Sequence, residues 1–334
     1  MDPLSQGLVG AVLAQAFASK KNLRCASVAG FFGGILADVD VLIRSGDDPL
    51  LNLEYHRHFT HALLFIPLGG LIAALLLWPF IGRKLGGKRL YGFATLGYAT
   101  AGLLDACTTY GTRIYWPFSY EKVAWNLISV VDPIFTLVLF FLVGAAFWRR
   151  AVGRAYLGLA FGALYLTLGY HQHQRAVQAQ AAMAFERKHA MVKATTKPTL
   201  GNLFLWRSVY QSEGKYFVDA VNLVPGKTPK WYRGESIEAL AWQERFANLD
   251  KQTPLHEDLA RFEEFSQGYV IAAPDRPNSL GDVRYAMLPN QVDPLWGIEY
   301  DPENPNERAV FENWRRAEPD TLQRFFTMLV GEEL

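Results

Sequence analysis

Residues 62–82 read ALLFIPLGGLIAALLLWPFIG, and no charged side chain appears until Arg83. A run of this length matches the roughly 20 apolar residues needed to cross the hydrocarbon core of a bilayer. Working outward, PIFTLVLFFLVGAAFW (133–148) and AYLGLAFGALYLTLGY (155–170) are equally free of charge, and 4–18, 25–43 and 90–108 are apolar and rich in small residues. A soluble core accommodates one such run but not six. The expected fold is a membrane α-helical bundle of about six transmembrane or re-entrant helices, followed by a C-terminal soluble α+β domain. Residues 1–18 lack the basic start of a secretory signal and are expected to stay as the first helix.

The connecting segments set an expected orientation. Lys20, Lys21 and Arg24 follow the first run, Arg83, Lys84, Lys88 and Arg89 the third, and Arg149, Arg150 and Arg154 the fifth. The other two connections mix Arg44, Arg57, Arg113 and Lys122 with Asp47, Asp48, Glu54 and Glu121. Cytoplasmic loops carry the excess of Lys and Arg, so the three basic loops are expected in the cytoplasm. The chain after residue 170 is then expected to be extracytoplasmic.

The 334 residues carry a net charge of +1, with 50% hydrophobic and 19% charged residues. An average soluble domain has about 25% charged residues. Residues 1–170 hold 14 Lys/Arg and 9 Asp/Glu, a net +5, and the remainder is net −4. This balance excludes a dedicated nucleic-acid binder. Two cysteines, Cys25 and Cys107, cannot build a disulfide framework.

The chain divides into a membrane domain (1–170), a helical stalk or linker (171–200, rich in Ala and Gln) and a soluble domain (201–334). In the last, LFLWRSVYQ and KYFVDAVNL flank Ser-Glu-Gly as a hairpin, and GYVIAAP, VRYAML and WGIEY read as strands. ALAWQERFA, HEDLARFEEFS and 307–332 read as helices. A protein partner is one expected use of this domain.

Ionisable groups in a membrane bundle are costly and mark function. With the orientation above, they collect at one end: Asp38 and Asp40 close the second run, His56, His58 and His61 precede the third, Asp105 closes the fourth and Asp132 opens the fifth. Carboxylates and imidazoles together suit zinc, manganese or iron. Asp38 and Asp40 diverge by about 200° on an ideal helix, so the helix must end or unwind for both to converge. Arg57 can pair with a carboxylate or an anionic substrate oxygen. Asp132-Pro133 is a standard helix start.

The motifs resemble the YdjM-like family of inner-membrane, metal-dependent hydrolases. Met1-Asp2-Pro3-Leu4-Ser5-Gln6-Gly7, Ala37-Asp38-Val39-Asp40, His56-Arg57-His58-Phe59-Thr60-His61 and Gly102-Leu103-Leu104-Asp105 occur in that family's order, and the resemblance covers roughly residues 1–150. Where the third motif usually carries a His four residues before its Asp, this chain has Ala101. The resemblance implies a bacterial inner-membrane location and a metal-dependent hydrolase.

The expected site binds a divalent metal, zinc foremost and manganese or iron as alternatives, through Asp38, Asp40, His56, His61 and Asp105. Asp40, His58 and Asp105 are the expected catalytic groups and Arg57 the substrate-binding one. A site at headgroup level points to a membrane lipid or membrane-associated ester or phosphoester. The alternative is a non-catalytic metal-binding or structural membrane protein whose outer domain binds a partner.

Overall fold

The computed structural model describes residues 1–316 and 319–334. The chain forms two compact units: Met1–Ile43, Tyr55–His171 and Leu200–Leu203 make the first, and Arg44–Glu54, Gln172–Thr199 and Phe204–Leu334 the second.

The first unit is helical. Asp2 caps α1 (Pro3–Ala16) by accepting from the Ser5 amide, with Pro3 in the first turn. A second helix, α2 (Leu23–Leu36), passes directly into a 3-10 turn at Ala37–Leu42. After α3 (Leu51–Tyr55), which lies largely in the second unit, come α4 (Ile66–Leu77), a π turn at Trp78–Gly82 and α5 (Arg83–Leu85). The π turn falls where Pro79 removes an amide from the helical ladder. The bundle continues with α6 (Gly87–Ala106), α7 (Pro133–Arg149) and α8 (Val152–Glu186). Asp132 caps α7 by accepting from the Phe135 amide, as its sequence predicts, and also accepts from the Tyr165 hydroxyl at 2.7 Å.

Three stretches rather than six combine the length and apolarity needed to cross a membrane: Leu23–Leu42, Leu63–Leu85 and Val152–Glu186. At 1.5 Å per residue, the 14-residue α1 is about 21 Å long, short of a hydrocarbon core of about 30 Å. The 17-residue α7 reaches only about 26 Å on the same rise. The third exception, α6, is 20 residues long but contains Lys88, Arg89 and Asp105. Most of α1 is buried within the unit, so its small apolar residues serve packing on α2 and α6. That packing is backbone against backbone. A Cβ on Gly10 would lie 2.3 Å from the Gly30 carbonyl oxygen, and one on Gly97 would lie 2.1 Å from the same atom.

The second unit holds two antiparallel four-stranded sheets. Strands β1 (Lys193–Pro198), β2 (Leu205–Ser212), β3 (Lys215–Asn222) and β4 (Lys230–Glu238) pair in sequence order. The predicted hairpin joins β2 to β3, with Glu213 and Gly214 both at positive φ and Ser212 opposite Lys215. Two positive-φ central residues are the signature of a tight two-residue hairpin turn. After α9 (Trp242–Arg245) and α10 (Pro254–Phe265), the second sheet runs β5 (Val270–Ala272), β6 (Ser279–Asp282), β7 (Trp296–Glu299) and β8 (Val310–Asn313). The last helix is α11 (Thr321–Val330).

Three local expectations change. VRYAML (283–288) is turn and loop, and the strand lies just upstream as β6, because Val283 and Arg284 already turn the chain. The stretch 307–332 contains β8 before its one described helix, and residues 317 and 318 lie outside the described residues. The stretch 171–200 is helical only to Glu186 and then enters the first sheet as β1.

Residues 44–54 join the second unit through specific contacts. Leu50 is buried with Leu255 and Leu259 of α10. Asp48 accepts two hydrogen bonds from Arg261, at 2.9 and 3.0 Å. Burial pushes the Asp48 carboxyl up, but the Arg261 hydrogen bonds and charge outweigh it and hold it below its ordinary value. A carboxylate depressed in the folded state contributes stability above its unfolded pKa of about 3.9 and loses it as pH falls through the folded value. Asp48→Asn is therefore expected to flatten the loss of stability below about pH 4, as measured by thermal unfolding across acidic pH.

Candidate metal centre

The switch from α2 to the 3-10 turn at Ala37 changes the angular step between residues, which is the unwinding that Asp38 and Asp40 require to share one site. Asp40 is fully buried and Asp38 is partly so. His61 ends the short 3-10 turn Phe59–His61, and Asp105 occupies the last turn of α6. Gly102 allows this approach, since a Cβ there would lie 2.1 Å from the His61 carbonyl oxygen.

Asp38, His61 and Asp105 come together, each offering one ligand atom within 4.8 Å of the others. His61 Nε2 stands 3.2 Å from Asp38 Oδ1 and 3.2 Å from Asp105 Oδ2. Its other ring nitrogen, Nδ1, lies 3.2 Å from Asp40 Oδ2 and 3.0 Å from the Thr60 hydroxyl. Metal-binding histidines characteristically donate their second ring N–H to a carboxylate, which fixes tautomer and orientation. Burial pulls the His61 imidazolium down, but hydrogen bonds to Asp105, Asp38 and Asp40 outweigh it and hold the ion-free group up at about 10, so a metal at Nε2 would have to displace that proton. Two carboxylates and one imidazole are donors that zinc accepts, and manganese or iron take the same set.

Asp40 stands behind His61. It accepts from the Thr60 hydroxyl at 2.7 Å and the Arg57 amide at 2.9 Å, and its Oδ1 lies 2.9 Å from His56 Nδ1. One carboxylate thereby shapes the whole 56–61 segment. Arg57 adopts a positive φ of 61° within it. Its Nε lies 3.1 Å from Asp105 Oδ2, and its Nη1 donates to the Thr108 hydroxyl at 2.9 Å. His56 is partly exposed, with its ring 6.5 Å from that of His61. His58 is not brought to the triad. Its ring packs with Tyr55 and Trp116, and its Nε2 faces Arg113 Nη1 at 3.4 Å.

Sequence reasoning missed Gln6. Its Nε2 donates to Asp105 Oδ1 at 3.1 Å and to Asp38 Oδ1 at 3.4 Å, joining two members of the triad. The Met1 amino group also contacts Asp105. The signal available was a Gln inside the otherwise apolar face of the first helix, where an amide needs a partner. Ala101 is fully buried beside Ala37 and Tyr98.

Comparison with known proteins places the first unit in a family. The profile of the YdjM inner membrane protein family matches residues 1–176. The inner membrane protein YbcI of Escherichia coli (strain K12) is 35% identical over 109 residues, which is 30% of this chain and 60% of the relative. The chain thus spans less than two thirds of that relative's length. No solved structure matches. The match runs through all three elements that carry the triad, and the chain belongs to the YdjM inner membrane protein family.

Proposed function

We propose that this inner-membrane protein is a metal-dependent hydrolase, with Asp38, His61 and Asp105 holding one divalent ion. The observation that carries the reading is the triad itself: three ligand atoms from three separate elements within 4.8 Å of one another. The second His61 nitrogen resting on Asp40 at 3.2 Å supports it further. Zinc fits this donor set best, and manganese or iron remain compatible. A bound divalent ion supplies Lewis acidity and a water acidified towards about pKa 7.

The chain's own residues divide the remaining work. Asp40 orients, because its oxygens already serve Thr60, the Arg57 amide, His56 and His61. His56, held through Nδ1 by Asp40 and partly open to solvent, suits the general base better than the enclosed His58. Arg57 balances the Asp105 charge and stands next to the position an anionic substrate oxygen would take. The substrate class that fits a membrane-bounded site is a lipid-linked or membrane-associated ester or phosphoester. In this reading the second unit is extracytoplasmic, which the alternation of basic loops supports.

Elemental analysis of the detergent-purified protein tests the proposal. Near-stoichiometric zinc, manganese or iron is expected, falling below about a tenth in Asp38→Ala, since loss of even a supporting residue costs about 10- to 100-fold in metal affinity or activity. His56→Ala is expected to keep the metal and lose turnover. Full metal in Asp38→Ala overturns the ligand assignment. A second reading, a metal-binding membrane protein without turnover whose second unit binds a partner, is favoured by Ala101 standing in place of the family's His. Stoichiometric metal without hydrolysis of any lipid ester or phosphoester would select it.

A further inference from the structure

At the opposite end of α2 and α7 from the triad lies a second polar feature. Lys20, Lys21, Arg149 and Arg150 line one pocket of about 460 Å³. None of these four cations has an ion-pair partner among the described residues. The segments 19–24 and 146–156 contain no carboxylate, and they add Arg24 and Arg154 to the same sign. Arg24 is fixed in place, its Nε and Nη2 each donating at 3.2 Å to the Phe147 and Trp148 carbonyls at the C-terminus of α7.

The adjoining stretch of the same helices is a groove of about 260 Å³, lined by Leu8 of α1, Val28 and Phe31 of α2, and Phe140, Phe147 and Trp148 of α7. Its one hydroxyl, Ser27, is spent on the Leu23 carbonyl at 2.8 Å. The two cavities meet at the C-terminal end of α7, where Trp148 lines the groove and the next residue, Arg149, lines the cationic pocket. Asp38 lies fourteen positions after Arg24, just past the end of α2, about 21 Å at helical rise. The feature is therefore separate from the triad and does not rest on the hydrolase reading.

We propose that this pair of cavities is a binding site for one anionic diacyl phospholipid, with its phosphate on Lys20, Lys21, Arg149 and Arg150 and an acyl chain along the groove. Charge complementarity selects the occupant. Unopposed cations beside an apolar groove match a molecule that is anionic at one end and hydrocarbon at the other, and basic pockets between membrane helices bind such headgroups. A free phosphate satisfies only the cationic half.

Native mass spectrometry of the full-length protein in detergent tests this with dioleoylphosphatidylglycerol and dioleoylphosphatidylcholine as probes. Wild type is expected to bind the glycerol lipid roughly tenfold or more tightly than the choline lipid, with the preference shrinking as salt rises. Combined Lys20→Gln, Lys21→Gln, Arg149→Gln and Arg150→Gln should abolish the preference. Val28→Trp should weaken both lipids by obstructing the groove. The paired variants Lys20→Gln/Lys21→Gln and Arg149→Gln/Arg150→Gln, on exposed side chains, each should reduce the preference if the fourfold variant does not fold. Equal affinities in wild type, an undiminished preference in the charge variants, or displacement of the lipid by millimolar sodium phosphate would each overturn the proposal.

Discussion

On the proposed reading of the site, His61→Ala is expected to abolish metal binding and to lower hydrolysis by at least about 100-fold. The reason lies in how many roles one ring fills. His61 Nε2 faces both Asp38 and Asp105, while Nδ1 rests on Asp40. Its removal leaves the Asp38, Asp40 and Asp105 carboxylates around a buried space, with Arg57 and the Met1 amino group beside Asp105 and His56 beside Asp40. Unbalanced buried charge is costly, so the variant should also unfold at lower temperature. Metal content and thermal unfolding measured on the same preparation separate the two effects. Asp40→Asn provides the contrast: it keeps all three ligands, and its expected deficit is partial, of about 10- to 100-fold in affinity or activity. Wild-type metal content in His61→Ala would sink the assignment of the centre.

The second large effect is expected in the other unit. Asp282→Asn should destabilise it by about 3–5 kcal/mol, seen as a drop of roughly 10 °C in its unfolding, with metal content unchanged. Asp282 is fully buried and holds the equally enclosed Arg284 through contacts of 2.7, 2.9 and 3.2 Å to its guanidinium. Arg207 and Lys197 lie within the same field. Arg207 donates to the Leu288, Pro289 and Val283 carbonyls, and Lys197 donates to the Tyr285 hydroxyl at 3.1 Å. Burial, with Arg284 adding to it, pushes the Lys197 ammonium well below its ordinary value, while Asp282 works against that shift. Asparagine preserves the shape of Asp282 but withdraws the carboxylate charge that acts on Arg284, Arg207 and Lys197. Unchanged unfolding of the variant would mean that the carbonyl oxygens alone solvate this cluster.

The site was more legible in the sequence than the span count. Asp38, His61 and Asp105 could be singled out because carboxylates and imidazoles are rare in apolar runs, and composition alone exposes them. The division of labour among His56, His58 and Asp40 was not legible. It depends on Arg57 taking a left-handed backbone conformation and on Asp40 gathering the following segment around itself, which spacing does not encode. The count of six spans failed because α7 is too short, α6 carries charged residues, and hydropathy does not distinguish a helix that faces lipid from one enclosed by its neighbours. The first helix, α1, is of the second kind. In the second unit, the Ser-Glu-Gly turn carried its own local signal and was found, whereas VRYAML has strand composition but opens on a turn at Val283 and Arg284, where the Arg284 amide donates to Asp282.

Gly10, Gly30 and Gly97 meet where no Cβ can be accommodated. Three rods keyed together in this way cannot slide past one another by even one residue without driving a side chain into a peptide group. Asp38 follows one of these rods and Asp105 ends another, and Gly102 pins His61 against the second by the same device. The backbone positions that carry the three ligands are therefore held at set distances. A site whose backbone cannot spread discriminates between ions by radius and preferred coordination number, so on the proposed reading small cations should be admitted over large ones of equal charge.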